Sequence, residues 1–190
     1  MRKRGSTFLG AVLGAVVLLG VGSTAHAVSV SPLNFDWTTT TTSNLNSAGI
    51  GTVTGFTGLS LLYKSDFGGG EDGSLASSHN TTFSSPGGVD DGPSAFTVSY
   101  VSGAFASCPT CILVVKDGNH NPAQYLYNLG NWNGTEQING SGFWLNGGGA
   151  ISNVAVWGTG SAVPVPGTSL LFGLGMTLFA GWHRKHARQI

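Results

Sequence analysis

Charge is scarce in this 190-residue sequence. Only 8% of its residues are Asp, Glu, Lys or Arg, and the formal net charge is zero. Cations are rarest where the acids are. All eight acidic residues lie between Asp36 and Glu136, and from 28 to 163 only Lys64 and Lys116 oppose them, leaving that stretch at −6. The other six basic residues sit at the ends, as Arg2, Lys3 and Arg4 and as Arg184, Lys185 and Arg188. An acidic middle argues against a nucleic-acid partner, which needs a basic face to neutralise phosphates. Cysteine is limited to Cys108 and Cys111, and the only histidines between 28 and 163 are His79 and His120. Zinc would need further ligands, so no metal site is expected from them. The sequence has no Gly-x-Ser-x-Gly motif and no evident grouping of nucleophile, His and orienting carboxylate. Carboxylate pairs can hydrolyse glycosides, but eight scattered acids supply arbitrary pairs, and loop acidity explains them more simply. The chain is not expected to be an enzyme. Its hydrophobic content of 41% excludes disorder, and 31 glycines suit a turn-rich fold.

Both ends read as addresses. Residues 1–27 have the three parts of a secretory signal: the basic run Arg2-Lys3-Arg4, an apolar stretch from Phe8 to Val21, and small residues at Ala25 and Ala27. Cleavage by signal peptidase is expected between Ala27 and Val28. Residues 163–190 form a second tripartite segment. Val163-Pro164-Val165-Pro166 is stiff and extended, because proline fixes φ and biases the residue before it away from helix. Residues 168–182 are apolar and uncharged, and a basic tail at 183–188 carries Arg184, Lys185 and Arg188. Fifteen helical residues reach only ~22 Å, short of a ~30 Å hydrocarbon core, but counting from Val163 gives a marginal span. The tail should stay cytoplasmic and the middle of the chain outside.

This carboxy-terminal pattern resembles the PEP-CTERM sorting signal of Gram-negative bacteria, whose members carry a Val-Pro-Glu-Pro-like motif, an apolar helix and an Arg-rich end. Val163, Pro164 and Pro166 match, and Val165 stands where the family usually has Glu. The resemblance implies transient anchoring in the inner membrane with the ectodomain in the periplasm. Handling by an exosortase would then pass the protein to the cell surface or the medium, with this chain as substrate.

The intervening residues 28–162 read as one all-β domain. Leu59, Leu61 and Tyr63 alternate, as do Phe96, Val98 and Tyr100, whereas Cys111–Lys116 is a continuous apolar run suited to a strand buried on both faces. Further expected strands are Val28–Val30, Gly51–Phe56, Thr81–Ser84, Gln124–Leu129, Gly142–Leu145 and Ala150–Trp157. Turn signals such as Asp117-Gly118-Asn119 and Asn133-Gly134 separate several of them. The expected architecture is an antiparallel β-sandwich, with a jelly roll as one arrangement, between an amino-terminal signal helix and a carboxy-terminal transmembrane helix. Thr38–Thr42 suits a strand or a solvated linker equally.

The domain also resembles a group of PEP-CTERM proteins with a shared carboxy-terminal half. The resemblance rests on LLYKSD at 61–66, LVVKDGN at 113–119, PAQYLYNLGNWNG at 122–134, GFW at 142–144 and GAISNVAVWG at 149–158. In that group His often stands where Asn153 is here. The resemblance implies no particular biochemical activity.

Three local features bear on chemistry. Cys108-Pro109-Thr110-Cys111 could be a redox centre, half a metal site or a local disulfide. The following residues read as strand rather than as a helix that would lower a thiol pKa, and an exported compartment is oxidising, so a structural disulfide is expected. The loop from Asp66 to Gly73 carries carboxylates and carbonyls of the kind that suit Ca²⁺, and Asp90-Asp91-Gly92 could approach it. Its spacing matches neither an EF-hand nor a nonapeptide repeat, so a solvated loop without cofactor is expected. Finally, Trp132 stands between Asn131 and Asn133. An exposed indole beside amides suits a sugar, whereas the opposing reading packs Trp132 with Trp144 and Trp157 in the core. Core packing is the expectation for a lone Trp in such a motif, and Trp132, Asn131 and Asn133 are the candidate glycan contacts.

Together these readings point to an exported envelope or matrix protein that associates with exopolysaccharide in a biofilm. The rival expectations are a purely structural surface protein without a specific ligand and, with least support, a secreted hydrolase.

Overall fold

The computed structural model describes residues 27–86, 92–130, 132–145, 148–160 and 162–163. The fold is mostly β: two sheets, dominated by antiparallel pairs, pack face to face, with one short helix on the outside of the larger sheet. The smaller sheet has the order β1-β10-β6-β5, from β1 (Ala27–Val30), β5 (His79–Ser84), β6 (Ala95–Tyr100) and β10 (Gln137–Gly140). The larger sheet has the order β2-β9-β8-β11-β3-β4. It comprises β2 (Trp37–Thr39), β3 (Ser60–Asp66), β4 (Glu71–Asp72), β8 (Cys111–Lys116), β9 (Gln124–Gly130) and β11 (Asn153–Gly158). A separate two-strand ladder joins β7 (Phe105–Ala106) to β12 (Ala162–Val163).

Strand β8 lies between β9 and β11, and its first five residues are buried. Alternate side chains enter two different cores. Cys111, Leu113 and Val115 join the main core between the sheets, whereas Ile112 and Val114 join a smaller core with Ile50, Leu59 and Leu126. Burial on both faces explains why the CILVVK run is continuously apolar instead of alternating.

The second core exists because of a helix where the sequence predicts a strand. Gly51–Phe56 is not extended; helix α1 (Ser47–Thr54) covers most of it. Asn46 caps the helix, its side-chain oxygen accepting from Gly49 N at 2.9 Å, and Gly55 ends it at φ 82°. Residues SAGIGTVT are mostly poor helix formers, so the local preference is overridden by packing, with the helix's own Ile50 buried on its inner face. Gly142–Leu145 is likewise a turn and not a strand: Phe143 is buried, and Trp144 turns at φ 49° with its Nε1 donating to Pro122 O at 3.1 Å. The threonine run divides, Thr38 and Thr39 pairing with β9 while Thr40–Thr42 are loop. One pair departs from the antiparallel expectation, since β1 runs parallel to β10.

Cys108 and Cys111 form a disulfide that ties the segment after β7 to the first residue of β8. Val163 pairs with Phe105, and Ala27 and Val28 pair with Gln137 and Ile138, so both ends of the described chain are held in ladders. Residues 1–26, Pro164, Val165, Pro166, the apolar stretch 168–182 and the basic residues Arg184, Lys185 and Arg188 lie outside the described residues. Among the described residues, no helix is long and apolar enough to cross a membrane.

Candidate functional site

The outer face of the larger sheet carries an unexpected polar row. Lys116 on β8 pairs with Gln124 on β9 and with Asn153 on β11, and Asn153 pairs with Asp66 on β3. Directly paired residues share a face, so these four side chains project to the side on which α1 packs. In the next row on that face, Leu126, Val114 and Ala155 lead to Lys64. The four strands are those of the motifs at 61–66, 113–119, 122–134 and 149–158. Both lysines of the acidic domain therefore stand on one sheet face. Lys64 Nζ is 2.7 and 2.6 Å from the two oxygens of Asp66, a locally neutral pair. Lys116 Nζ is 3.4 Å from Asp117 O and from Ser152 Oγ, and among the described residues it makes no ion pair.

Residues 40–46 roof part of this row. Gln124 is fully buried at 0% exposure, and its Nε2 donates to Thr41 O at 2.7 Å and Ser43 O at 2.9 Å. Asn153, 5% exposed, donates through Nδ2 to Asn44 Oδ1 at 3.2 Å. Between roof and sheet is a cavity of about 150 Å³ lined by Asn44, Gln124, Asn153, Lys64, Ala155 and Trp157, among others. A groove of about 420 Å³ shares Asn44 and Leu45 with this cavity and is lined in part by the hydroxyl and amide residues Thr39, Thr41, Ser43 and Asn46. Three amides, a neutralised cation and an indole around a small recess can meet hydroxyl groups from several directions. In the sequence, Gln124 and Asn153 stand within the motifs at 122–134 and 149–158 and carry no assigned role. The available signal was a polar residue, Gln124 or Asn153, within an otherwise apolar strand.

Trp132 lies in the core, the packing expected of it, and not on the surface where, as a glycan contact, it could stack on sugar. It is 1% exposed and its Nε1 donates to Glu136 O at 2.9 Å. The loop turns inward at Gly134, φ 77°, where the backbone lies so close to Ala106 that a Cβ would overlap it. Asn133 Oδ1 accepts from Thr135 N, Thr135 Oγ1 and Glu136 N at 2.9–3.1 Å, which commits that oxygen to the turn. A shallow, mostly apolar depression of about 360 Å³ lies beside Trp132, Asn133 and the disulfide. Asn131 lies outside the described residues.

Behind Trp132 is a buried polar cluster. The His79 ring is 5.7 Å from Trp132, 5.6 Å from Tyr63 and 5.5 Å from Tyr100. His79 Nε2 faces Gly134 O at 2.8 Å, which favours the proton on that nitrogen, and Nδ1 is 3.0 Å from Ser78 Oγ. Burial pushes the imidazole pKa below its usual 6.5, against smaller upward pulls from the Gly134 and Leu75 carbonyls and from Glu71. The Tyr63 hydroxyl donates to Glu71 Oε1 at 2.6 Å, and burial, reinforced by that carboxylate, pushes the phenol pKa up.

The loop from Asp66 to Gly73 belongs to a hairpin from β3 to β4, and its carboxylates have protein partners. Asp66 holds Lys64, Glu71 Oε1 also accepts from Thr81 N at 3.2 Å, and Asp72 Oδ1 accepts from Gly73 N at 2.6 Å. Asp90 and Asp91 lie outside the described residues. Among the described residues no three His, Cys, Asp or Glu side chains come together as a metal-ligand group.

No known protein family matches this chain, and no curated protein or solved structure is detectably similar to it.

Proposed function

We propose that this is an exported matrix or envelope protein that associates with exopolysaccharide after being sorted by an exosortase. In this reading residues 1–27 are a signal helix removed by signal peptidase. Residues 163–190 hold the ectodomain briefly at the inner membrane as a transmembrane helix with a basic cytoplasmic end. The address supports export, and the roofed polar row on the larger sheet is the observation that supports a glycan partner. Amide groups beside an indole are suited to a ligand with many hydroxyls and apolar C–H faces. The domain's acidity keeps it soluble without offering a surface to nucleic acid.

Co-sedimentation of the protein, purified as the cell releases or displays it, with the producing cell's own exopolysaccharide tests the partner. Saturable binding is expected, and its absence overturns the reading in favour of a purely structural surface protein. Intact-mass measurement of the same material tests the sorting. Loss of Trp182 and the basic tail is expected, and a retained tail overturns exosortase processing.

A further inference from the structure

Gln124 is held in one orientation. Its Nε2 faces two carbonyl oxygens, Thr41 O at 2.7 Å and Ser43 O at 2.9 Å, and turning the amide over would set its oxygen against both. Its Oε1 is buried and, among the described residues, has no hydrogen-bond partner. Leaving a buried acceptor unmet is costly, so native structures nearly always supply a donor. Gln124 also lines the 150 Å³ cavity, where Asn44 and Asn153 add amides, Lys64 is neutralised by Asp66, and Trp157 and Ala155 supply apolar wall.

We infer that this cavity is a saccharide subsite in which a sugar hydroxyl donates to Gln124 Oε1, other hydroxyls meet Asn44 and Asn153, and C–H groups contact Trp157. The inference rests on the exopolysaccharide reading for the polymer from which the sugar comes. A recess of 150 Å³ is smaller than the ~300–1,000 Å³ pockets of larger ligands and fits a single ring or chain end. The groove of about 420 Å³ shares Asn44 and Leu45 with it and offers hydroxyl and amide partners to the units that follow. Lys116 stands beside Asn153 in register, so a uronic acid is a natural member of the ligand class.

The test is nitrogen-15 NMR of the full chain in a sugar-free detergent, titrated separately with glucose, galactose, mannose and glucuronate. The side-chain amides of Gln124 and Asn153 should shift saturably with at least one of them, with a dissociation constant on the order of 1 mM. Ala155→Leu fills the recess without removing a hydrogen bond and should weaken binding by at least about tenfold. Asn44→Ala, an exposed change in the roof, serves as the second variant should the leucine not be accommodated, and should weaken binding several-fold. Absence of shifts with all four sugars, or wild-type affinity in both variants, overturns the subsite. Water cross-peaks at the Gln124 amide that persist unchanged at saturating sugar would show that the recess holds water only, and overturn it as well. Exopolysaccharide co-sedimentation run in parallel separates the two claims. Polymer binding unaltered by Ala155→Leu removes the subsite alone, and sugar shifts without polymer binding remove the matrix reading alone.

Discussion

His79 Nε2 meets the carbonyl oxygen of Gly134 at 2.8 Å across 55 residues of sequence, linking the start of β5 to the turn that carries Trp132 into the core. This bond fixes the position of a loop, and it places a titratable ring among aromatic side chains. The folded protein therefore holds the imidazole neutral more firmly than the unfolded chain does.

Stability should consequently depend on pH in a defined direction. The unfolded state binds a proton near the ordinary pKa of 6.5, and the folded state does so only at lower pH. The stabilisation from His79 is fully present above 6.5 and is lost as pH falls from there toward the depressed folded pKa. Urea midpoints measured from pH 7.5 to 5 should fall in wild type. His79→Gln, which keeps a donor for Gly134 O, should flatten that slope. An equal slope in the variant would assign the acid sensitivity to other groups.

Trp132→Ala should behave as a core truncation, costing about 3–5 kcal/mol in chemical denaturation. Trp132→Phe should remain folded and retain saccharide binding. Loss of binding in a folded Phe variant would return Trp132 to the ligand surface.

Gly140 offers a sharper packing test. A Cβ there would run into the ring of Phe96, its partner across β6 and β10, whereas at Gly70 it would meet nothing. Gly140→Ala should cost about 1–3 kcal/mol, as overpacked cores do. Gly70→Ala should stay within about 0.5 kcal/mol of wild type.

The Cys108–Cys111 bridge closes a loop with a sequence separation of only 3, so its effect on chain entropy is small. Replacing both cysteines by alanine should lower stability by about 2 kcal/mol and leave the protein folded. A loss of all folded signal would mean that the bridge organises the β7–β12 ladder as well as the start of β8.

Much of the sheet framework was legible in the sequence because strand periodicity is local. Cys111–Lys116 and Gln124–Gly130 are long, strongly β-forming runs, and their burial follows from their composition. The cysteine pair was legible too, since spacing and the following strand left few arrangements. Helix α1 was not, because its glycines and β-branched residues carry little helical signal and the packing of its own Ile50 and Val53 on the sheet makes the conformation favourable. The amide-lined recess was illegible for a related reason. Asp66 and Asn153 lie far in sequence from Lys116 and Gln124, and only strand order and register bring the four into one row. For Trp132 the flanking amides left exposure open beside the expected core packing, and the inward turn at Gly134 sets the indole in the core.

The larger sheet ends on β2 and β4, strands of three and two residues, so its outermost strands offer very little ladder to a further strand. A second chain seeking to extend that sheet would find only one or two hydrogen bonds to start from. Molecules crowded together at high local concentration thus find little in those outermost strands through which to stack into fibrils.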